Sequence, residues 1–369
     1  MQSWHNPYVI SFDRCVADFH AGRDTPRDFL ERCLDVIAKR DKTVQAFVTL
    51  NIDAARKAAD DSTARYKAGK PLSIVDGCPV AVKDIIATSD MPTQMNSPAF
   101  KGWQSGQDAA CVAALRKGGA VMIGKTVTTE FAIGYSGPTT NPFDATRTPG
   151  GSSSGTAAAV GAGMAPVGLG TQTQASTLRP ASYCGAVGFK PSLGQLHMAG
   201  VHPLSATADH LGVIGATLGD VWRVASQISL GIGSPGRRFL QDAGEHVPQA
   251  KKPRKLIRLY TRGWGEIDKE TETQFEAAIG ALAATGVEIA SRDTEPRIAA
   301  LENLLAEYYA QAEPTRIPGY TDEQMFDVNA ANEFTATIGK EIYAEILATG
   351  RPSPAKIRNA MSNPATWQA

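Results

Sequence analysis

One stretch of this sequence, residues 148–179, limits the possible folds more than any other: TPGGSSSGTAAAVGAGMAPVGLGTQTQASTLR. A Gly- and Ser-rich turn runs into an Ala-rich helix, and a second turn follows in which Ser176 stands among small polar residues with Arg179 just behind it. The interval from Ser152 to Ser176 is one helix plus a return, a spacing that brings two hydroxyls back to the same place. Upstream, GCPVAVKD (residues 77–84) ends an apolar run on Lys83. A serine nucleophile needs a proton acceptor, and no histidine lies near either turn in sequence. Lys83 is the substitute the chain offers.

Composition narrows the classes. The 369 residues suffice for one large domain or two small ones with a sizeable core. Basic and acidic residues balance at 37 each, which argues against a nucleic-acid surface. Cys15, Cys33, Cys78, Cys111 and Cys184 are scattered without a CxxC, so reduced, buried thiols in a cytoplasmic protein are expected. The six histidines form no pair at metal-binding spacing, so neither metal nor cofactor is expected. The first residues lack the apolar run of a signal peptide. The apolar stretch 157–170 is broken by glycines and a proline and does not read as a membrane span, so a soluble protein is expected.

Periodicity sets out the elements. Thr25 as cap, Pro26 at the first helical position and Asp28 in the first turn open a helix. Its buried stripe is Phe29, Leu30, Cys33, Leu34 and Ile37. Residues 51–66 read as a second, more exposed helix. Strands are expected at 80–83 and 120–123, a capped helix at 108–117, and a helix at 156–162 starting from the serine-rich turn. Residues 230–253 turn to Gly, Pro and charge and mark a long loop or subdomain joint. A βαβ-like unit follows: strand 255–260, helix 270–284 closed by Gly286, strand 287–290. From Arg297 onward the reading is helical, without a clear strand. The fold class is therefore α/β, a mixed sheet sandwiched between helical layers. One domain spans 1–369, with a helical part at 1–70, a core at 71–230 and a C-terminal part at 231–369.

Three pieces of this sequence, PVAVKD (79–84), PGGSSSG (149–155) and GTQTQAST-L-RP with CGAVGFKPS (170–192), resemble the amidase signature family in order and spacing. The resemblance implies a Ser-cisSer-Lys amidohydrolase that cleaves a carboxamide through an acyl-enzyme. Carried over residue by residue, it implies Ser176 as nucleophile, Ser152 as bridging hydroxyl after a cis peptide bond from Gly151, and Lys83 as base. The backbone N–H groups of Thr173, Gln174, Ala175 and Ser176 would form the oxyanion hole, with Thr171 supporting the serines. A small-molecule amide is the expected partner, with neither nucleic acid nor membrane, and a homodimer is left open. Family members usually continue into further strands, so the C-terminal part is expected to lack the strands that close the sheet.

Burial behind Val80, Ala81 and Val82 would lower the Lys83 pKa, while Asp84 opposes this if its carboxylate points inward. Helix capping and turn formation account for Ser153 and Ser154. The chain departs from the family at Gln172, where Asp is common, and at Gln174 and Ala175, where glycines are common. Arg179 stands three residues after Ser176 rather than two, and with Gln172 in place of the acid it is expected to lack that partner. A guanidinium so placed suits a substrate carboxylate, as in the malonamidase-type branch; an arginine paired with another acid to fix the loop is equally compatible. The alternatives to a free-standing amidase are the glutaminase A subunit of a tRNA-dependent amidotransferase and an inactive, binding relative.

Residues 119–126, GAVMIGKT, match the phosphate-loop pattern letter for letter. A phosphate loop follows a strand and opens a helix, whereas here the middle residues are themselves a strand, so nucleotide binding is rejected. The basic run 251–255 reads as a solvated linker.

Overall fold

Thr25 opens the first long helix as its sequence requires. Its hydroxyl accepts the Asp28 N–H at 3.0 Å, and Pro26 fills the first helical position of α2 (Pro26–Val44), which follows the short α1 (Val16–His20). The helix ends where Gln45 takes a left-handed conformation (φ 52°). The computed structural model describes residues 5–133, 135–205, 207–232, 240 and 247–311. They fall into two compact units that divide between Val247 and Pro248, inside the expected joint.

The first unit is built on a six-stranded mixed sheet in the order β1-β3-β2-β4-β6-β5. The strands are β1 (Phe47–Leu50), β2 (Pro79–Lys83), β3 (Val121–Thr126), β4 (Val167–Gln172), β5 (Val187–Phe189) and β6 (His210–Gly215). Strands β3, β2 and β4 run parallel, and β1, β6 and β5 pair antiparallel to their neighbours. Val80, Val82, Val167, Leu169, Leu211 and Val213 pack in one core cluster with α4 (Ala110–Lys117) and α7 (Leu218–Ile232). Ala81, Val121, Ile123 and Ile214 pack in a second cluster with α2, α3 (Ile52–Lys67) and α5 (Ser154–Gly161). Alternation along each strand thus sends successive residues to opposite helical layers. A last short helix, α6 (Leu178–Tyr183), leads into β5.

Helix α5 is buried along its whole length. A β-carbon on Gly155 would lie 2.3 Å from the Ala46 carbonyl, and one on Gly161 would lie 2.1 Å from that of Cys184. Small residues are what let this helix sit against neighbouring backbone. The strand glycines serve the same approach, since β-carbons on Gly168 and Gly170 would meet Thr156 and Ser153.

The structure corrects several sequence expectations. Strand β3 continues through Gly124, Lys125 and Thr126, so the phosphate-loop look-alike is sheet to its last residue. Asp108 does not cap α4; it accepts the Ser89 N–H and pairs with Arg116 instead. Strands β1, β4, β5 and β6 are additions that periodicity does not announce. Lys255 is no part of a linker, because it lies in β7 and pairs with Glu288 at 3.1 Å.

In the second unit, β7 (Lys255–Ile257) and β8 (Glu288–Ala290) pair in parallel across α8 (Lys269–Ala284), the expected βαβ arrangement. Asp268 caps α8 by accepting the Thr271 N–H. The Arg258 guanidinium stacks over Tyr260 at 4.2 Å and pairs with Glu276. Helix α9 (Pro296–Gln311) bears out the helical reading after Arg297 as far as Gln311; the rest of that expectation, to 369, lies outside the described residues.

Candidate active site

Lys83 ends β2 at full burial, one alternation beyond Ala81 and so on the α5 side of the sheet. Its Nζ lies 2.7 Å from Ser152 Oγ and 2.7 Å from Thr171 Oγ1. Ser152 stands two residues before α5, and the Gly151–Ser152 peptide bond is cis. Thr171 comes from β4, so three separate elements deliver three polar side chains to one buried point. Burial drives the Lys83 pKa down to about 7, with the negative charge of Asp209 opposing it.

Asp84 does not act on this lysine. Its carboxylate faces Lys125 at 3.3 Å and accepts the Gln94 N–H. Lys125 also donates to the Ile86 carbonyl and to Thr93 Oγ1, each at 2.7 Å. In the parallel register Val82 lies opposite Lys125 and Lys83 opposite Thr126, so the two lysines project to opposite faces. One is an ion-pair member. The other is surrounded by hydroxyls.

Ser153 and Ser154 do more than shape a turn. Ser153 is the N-cap residue of α5, yet its hydroxyl makes no capping bond; it accepts the Thr171 N–H and donates to the Thr171 carbonyl, both at 3.3 Å. Ser154 donates to the Val127 carbonyl. The serine-rich turn is thereby tied to β4 and to the segment after β3.

The second turn is drawn to the first, because the Ser153 N–H donates to the Ser176 carbonyl at 3.3 Å. Among the described residues no hydrogen bond holds the Ser176 hydroxyl, and no acceptor engages the backbone N–H of Gln174, Ala175 or Ser176. The turn is shaped from within by Gln172. The Gln172 Oε1 accepts the Thr177 and Leu178 N–H groups at 2.9 and 3.0 Å, and its Nε2 donates to the Gln174 carbonyl at 2.9 Å. A carboxylate could accept the first two bonds and could not donate the third.

Arg179 is exposed and donates to the Gly151 carbonyl from Nε at 3.3 Å and Nη2 at 2.7 Å. Among the described residues no carboxylate pairs with it. Sequence reasoning missed Asp209, which accepts from Thr173 Oγ1 at 2.6 Å and lines a cavity of about 300 Å³ with Leu193, Leu196, His197, Met198 and Leu211. Nothing in the local pattern SATADHLG marked it. Among the described residues no cluster of His, Cys, Asp or Glu is arranged to hold a metal ion, and no helix is long and apolar enough to cross a membrane.

A model of the Amidase family matches residues 28–363. The chain belongs to the Amidase family. Among curated proteins, this Amidase-family chain is 40% identical over 250 residues to the A subunit of glutamyl-tRNA(Gln) amidotransferase from Symbiobacterium thermophilum, covering 66% of the chain and 50% of that protein. It is 34% identical over 298 residues to the like-named protein from Maridesulfovibrio salexigens, covering 77% of the chain and 60% of that protein. The chain spans about half the length of the curated relatives it matches. In fold it is similar to the peptide amidase of Stenotrophomonas maltophilia, with a TM-score of 0.71 at 23% identity over 98% of this chain and 78% of that one. The mixed sheet between helical layers is thus the amidase fold.

Proposed function

We propose that this chain hydrolyses a carboxamide through an acyl-enzyme on Ser176. The observation that carries the reading is the fully buried Lys83 amine, 2.7 Å from the Ser152 hydroxyl, with its pKa lowered to about 7. A lysine neutral near pH 7 can take a proton; an ordinary lysine cannot. Ser176 Oγ attacks the amide carbon while its proton passes to Ser152, whose own proton passes to Lys83. The backbone N–H groups of Thr173, Gln174, Ala175 and Ser176 receive the oxyanion, each donor contributing roughly 100-fold or more in rate. The proton returns through Ser152 to the leaving amine, and water then releases the acid by the same relay. Thr171 holds Lys83 in place through its hydroxyl. The free cysteines fit a reducing compartment, the cytoplasm.

The substrate carries a second acid group, held by Arg179, as in the malonamidase-type branch. Supporting this are the exposure of the guanidinium and the want of a carboxylate beside it among the described residues.

The test is turnover by the chain alone, without partner subunits, on a panel of small amides. Ammonia release that rises with pH through about 7 and then levels off is expected. Ser176→Ala should abolish it with the fold intact, and Lys83→Ala should lower it by several orders of magnitude. Wild-type turnover in Ser176→Ala would overturn the assignment.

A second reading follows from the names of the curated relatives: the glutaminase A subunit of a tRNA-dependent amidotransferase. It requires ammonia release from glutamine only when partner subunits are present. An inactive, binding relative would form no acyl-serine with any amide or ester.

A further inference from the structure

We propose that Asp209 is a positioning residue of this site: its carboxylate ties the turn that carries Ser176 to the neighbouring 204–205 loop and presents a fixed negative charge to the Lys83 amine. The inference rests on the Ser176–Ser152–Lys83 reading above. Three donors converge on this carboxylate. Thr173 Oγ1 donates to Oδ1 at 2.6 Å, and the N–H groups of Leu204 and Ser205 donate to Oδ2 at 2.7 and 2.8 Å. Three donors suit the two acceptor oxygens of an aspartate better than an amide, whose NH2 would oppose a donor.

The placement is set by the sheet. Gln172 and His210 lie opposite each other at the end of the antiparallel β4–β6 ladder. Thr173 and Asp209 are the next residues outward on the two strands, so their side-chain bond carries the pairing one step beyond the backbone ladder. The first residue of the Ser176 turn is thereby held to the end of the β4–β6 ladder.

Thr171, which meets Lys83, and Thr173, which meets Asp209, stand two residues apart along the path of β4 and project to one face, so the amine and the carboxylate lie on the same side of the sheet. Among the described residues, Asp209 is the charge that opposes the burial-driven fall of the Lys83 pKa. Of the other groups near, Asp84 is engaged with Lys125 on the opposite face. His202 is half-buried, lowered by burial and raised by Asp209, and packs on the Phe131 ring. Removing the Asp209 charge should therefore lower the Lys83 pKa further, moving the acidic limb of any Lys83-dependent reaction to lower pH.

Two measurements on the full chain test this. The first is the titration midpoint of Lys83, followed by NMR of protein labelled with ¹³C at the lysine ε-carbon, the signal being assigned by its loss in Lys83→Met. The second is the pH-dependent rate at which a small alkyl fluorophosphonate labels Ser176, read by intact-protein mass: Ser176 Oγ bonds to phosphorus, fluoride leaves, and the serine proton passes by Ser152 to Lys83. In Asp209→Asn the midpoint and the labelling limb should both move to lower pH, and the plateau rate should fall by roughly ten- to a hundredfold. The shift should persist in a His202→Gln background. Thr173→Val should lower the plateau comparably with the midpoint unmoved, and Thr173→Ser, which keeps the hydroxyl, should restore it. An unmoved Lys83 midpoint in Asp209→Asn, or a wild-type labelling rate in Thr173→Val, overturns the proposal. A midpoint that moves in a protein never labelled at Ser176 would sink the Ser176 reading and leave the role of Asp209 toward Lys83 standing.

Discussion

Lys83 and Lys125 are the same side chain, equally buried, on adjacent strands, and they have opposite fates. Lys125 meets the Asp84 carboxylate, which favours its charged form against the cost of burial. Lys83 meets the hydroxyls of Ser152 and Thr171, which neither neutralise a charge nor require one. Arg179 reaches back to the serine-rich turn. Bound to the Gly151 carbonyl through Nε and Nη2, it braces the turn and still presents an exposed edge. Half-amides of small dicarboxylic acids should outperform neutral amides of equal size by roughly ten- to a hundredfold in kcat/KM. Arg179→Leu should remove most of that preference, and Arg179→Lys should recover part of it, because a point charge cannot reproduce the planar fork. Equal losses on neutral and acidic amides would leave the guanidinium a brace alone.

Among the elements, the decisive object is the turn between β4 and α6. Gln172 closes it with both ends of one amide, capping the first N–H groups at the start of α6 and holding the Gln174 carbonyl. Neither Gln174 nor Ala175 takes a positive φ, so the turn relies on that amide rather than on unusual backbone freedom. Gln172→Glu sets a carboxylate oxygen against the Gln174 carbonyl while keeping the other two bonds. Amide hydrolysis should fall by roughly ten- to a hundredfold with circular dichroism unchanged, the range set by about 1–3 kcal/mol for losing the bond to this part-buried carbonyl and facing it with a carboxylate oxygen. Unchanged kcat would show that the turn holds its shape without the third bond. The residue at 172 is legible as a departure from the family pattern, but its three partners are not. They lie two to six residues away around a turn whose conformation no periodicity announces.

Across the whole molecule, buried titratable groups make stability depend on pH, with a sign that can be worked out. Lys83 binds its proton with a pKa of about 7 when folded and an ordinary value when unfolded, so above pH 7 the unfolded chain holds more protons. Lys125, also lowered by burial, acts in the same direction. Stability then rises with pH, approaching about 1.4 kcal/mol per pH unit for each lysine fully neutral in the fold. Above about pH 8.5 the rise is opposed and then reversed, because unfolded thiols ionise while burial keeps four of them, Cys33, Cys78, Cys111 and Cys184, protonated in the fold. The urea midpoint of the protein should therefore increase between pH 7 and pH 8.5, and Lys83→Met should flatten that rise. A midpoint that falls over this interval would contradict a neutral buried Lys83.

What is local in this protein can be read from the letters alone. Thr25, Pro26 and Asp28 specify a helix start, the apolar residues 120–123 read as strand rather than as the middle of a phosphate loop, and the motifs around Lys83, Ser152 and Ser176 stand out in adjacent residues. Strand β4 is hidden because its glycines at 168 and 170 break the alternation of side chains, and they are there so that Thr156 and Ser153 can approach. Which lysine Asp84 faces and which carboxylate holds Thr173 follow from packing and from nothing nearer in the chain. The first depends on β2 and β3 lying in one register rather than the next, the second on β4 and β6 ending together at Gln172 and His210. Strand register is a property of the packed sheet, and a shift of one residue would turn every one of these side chains to the other face.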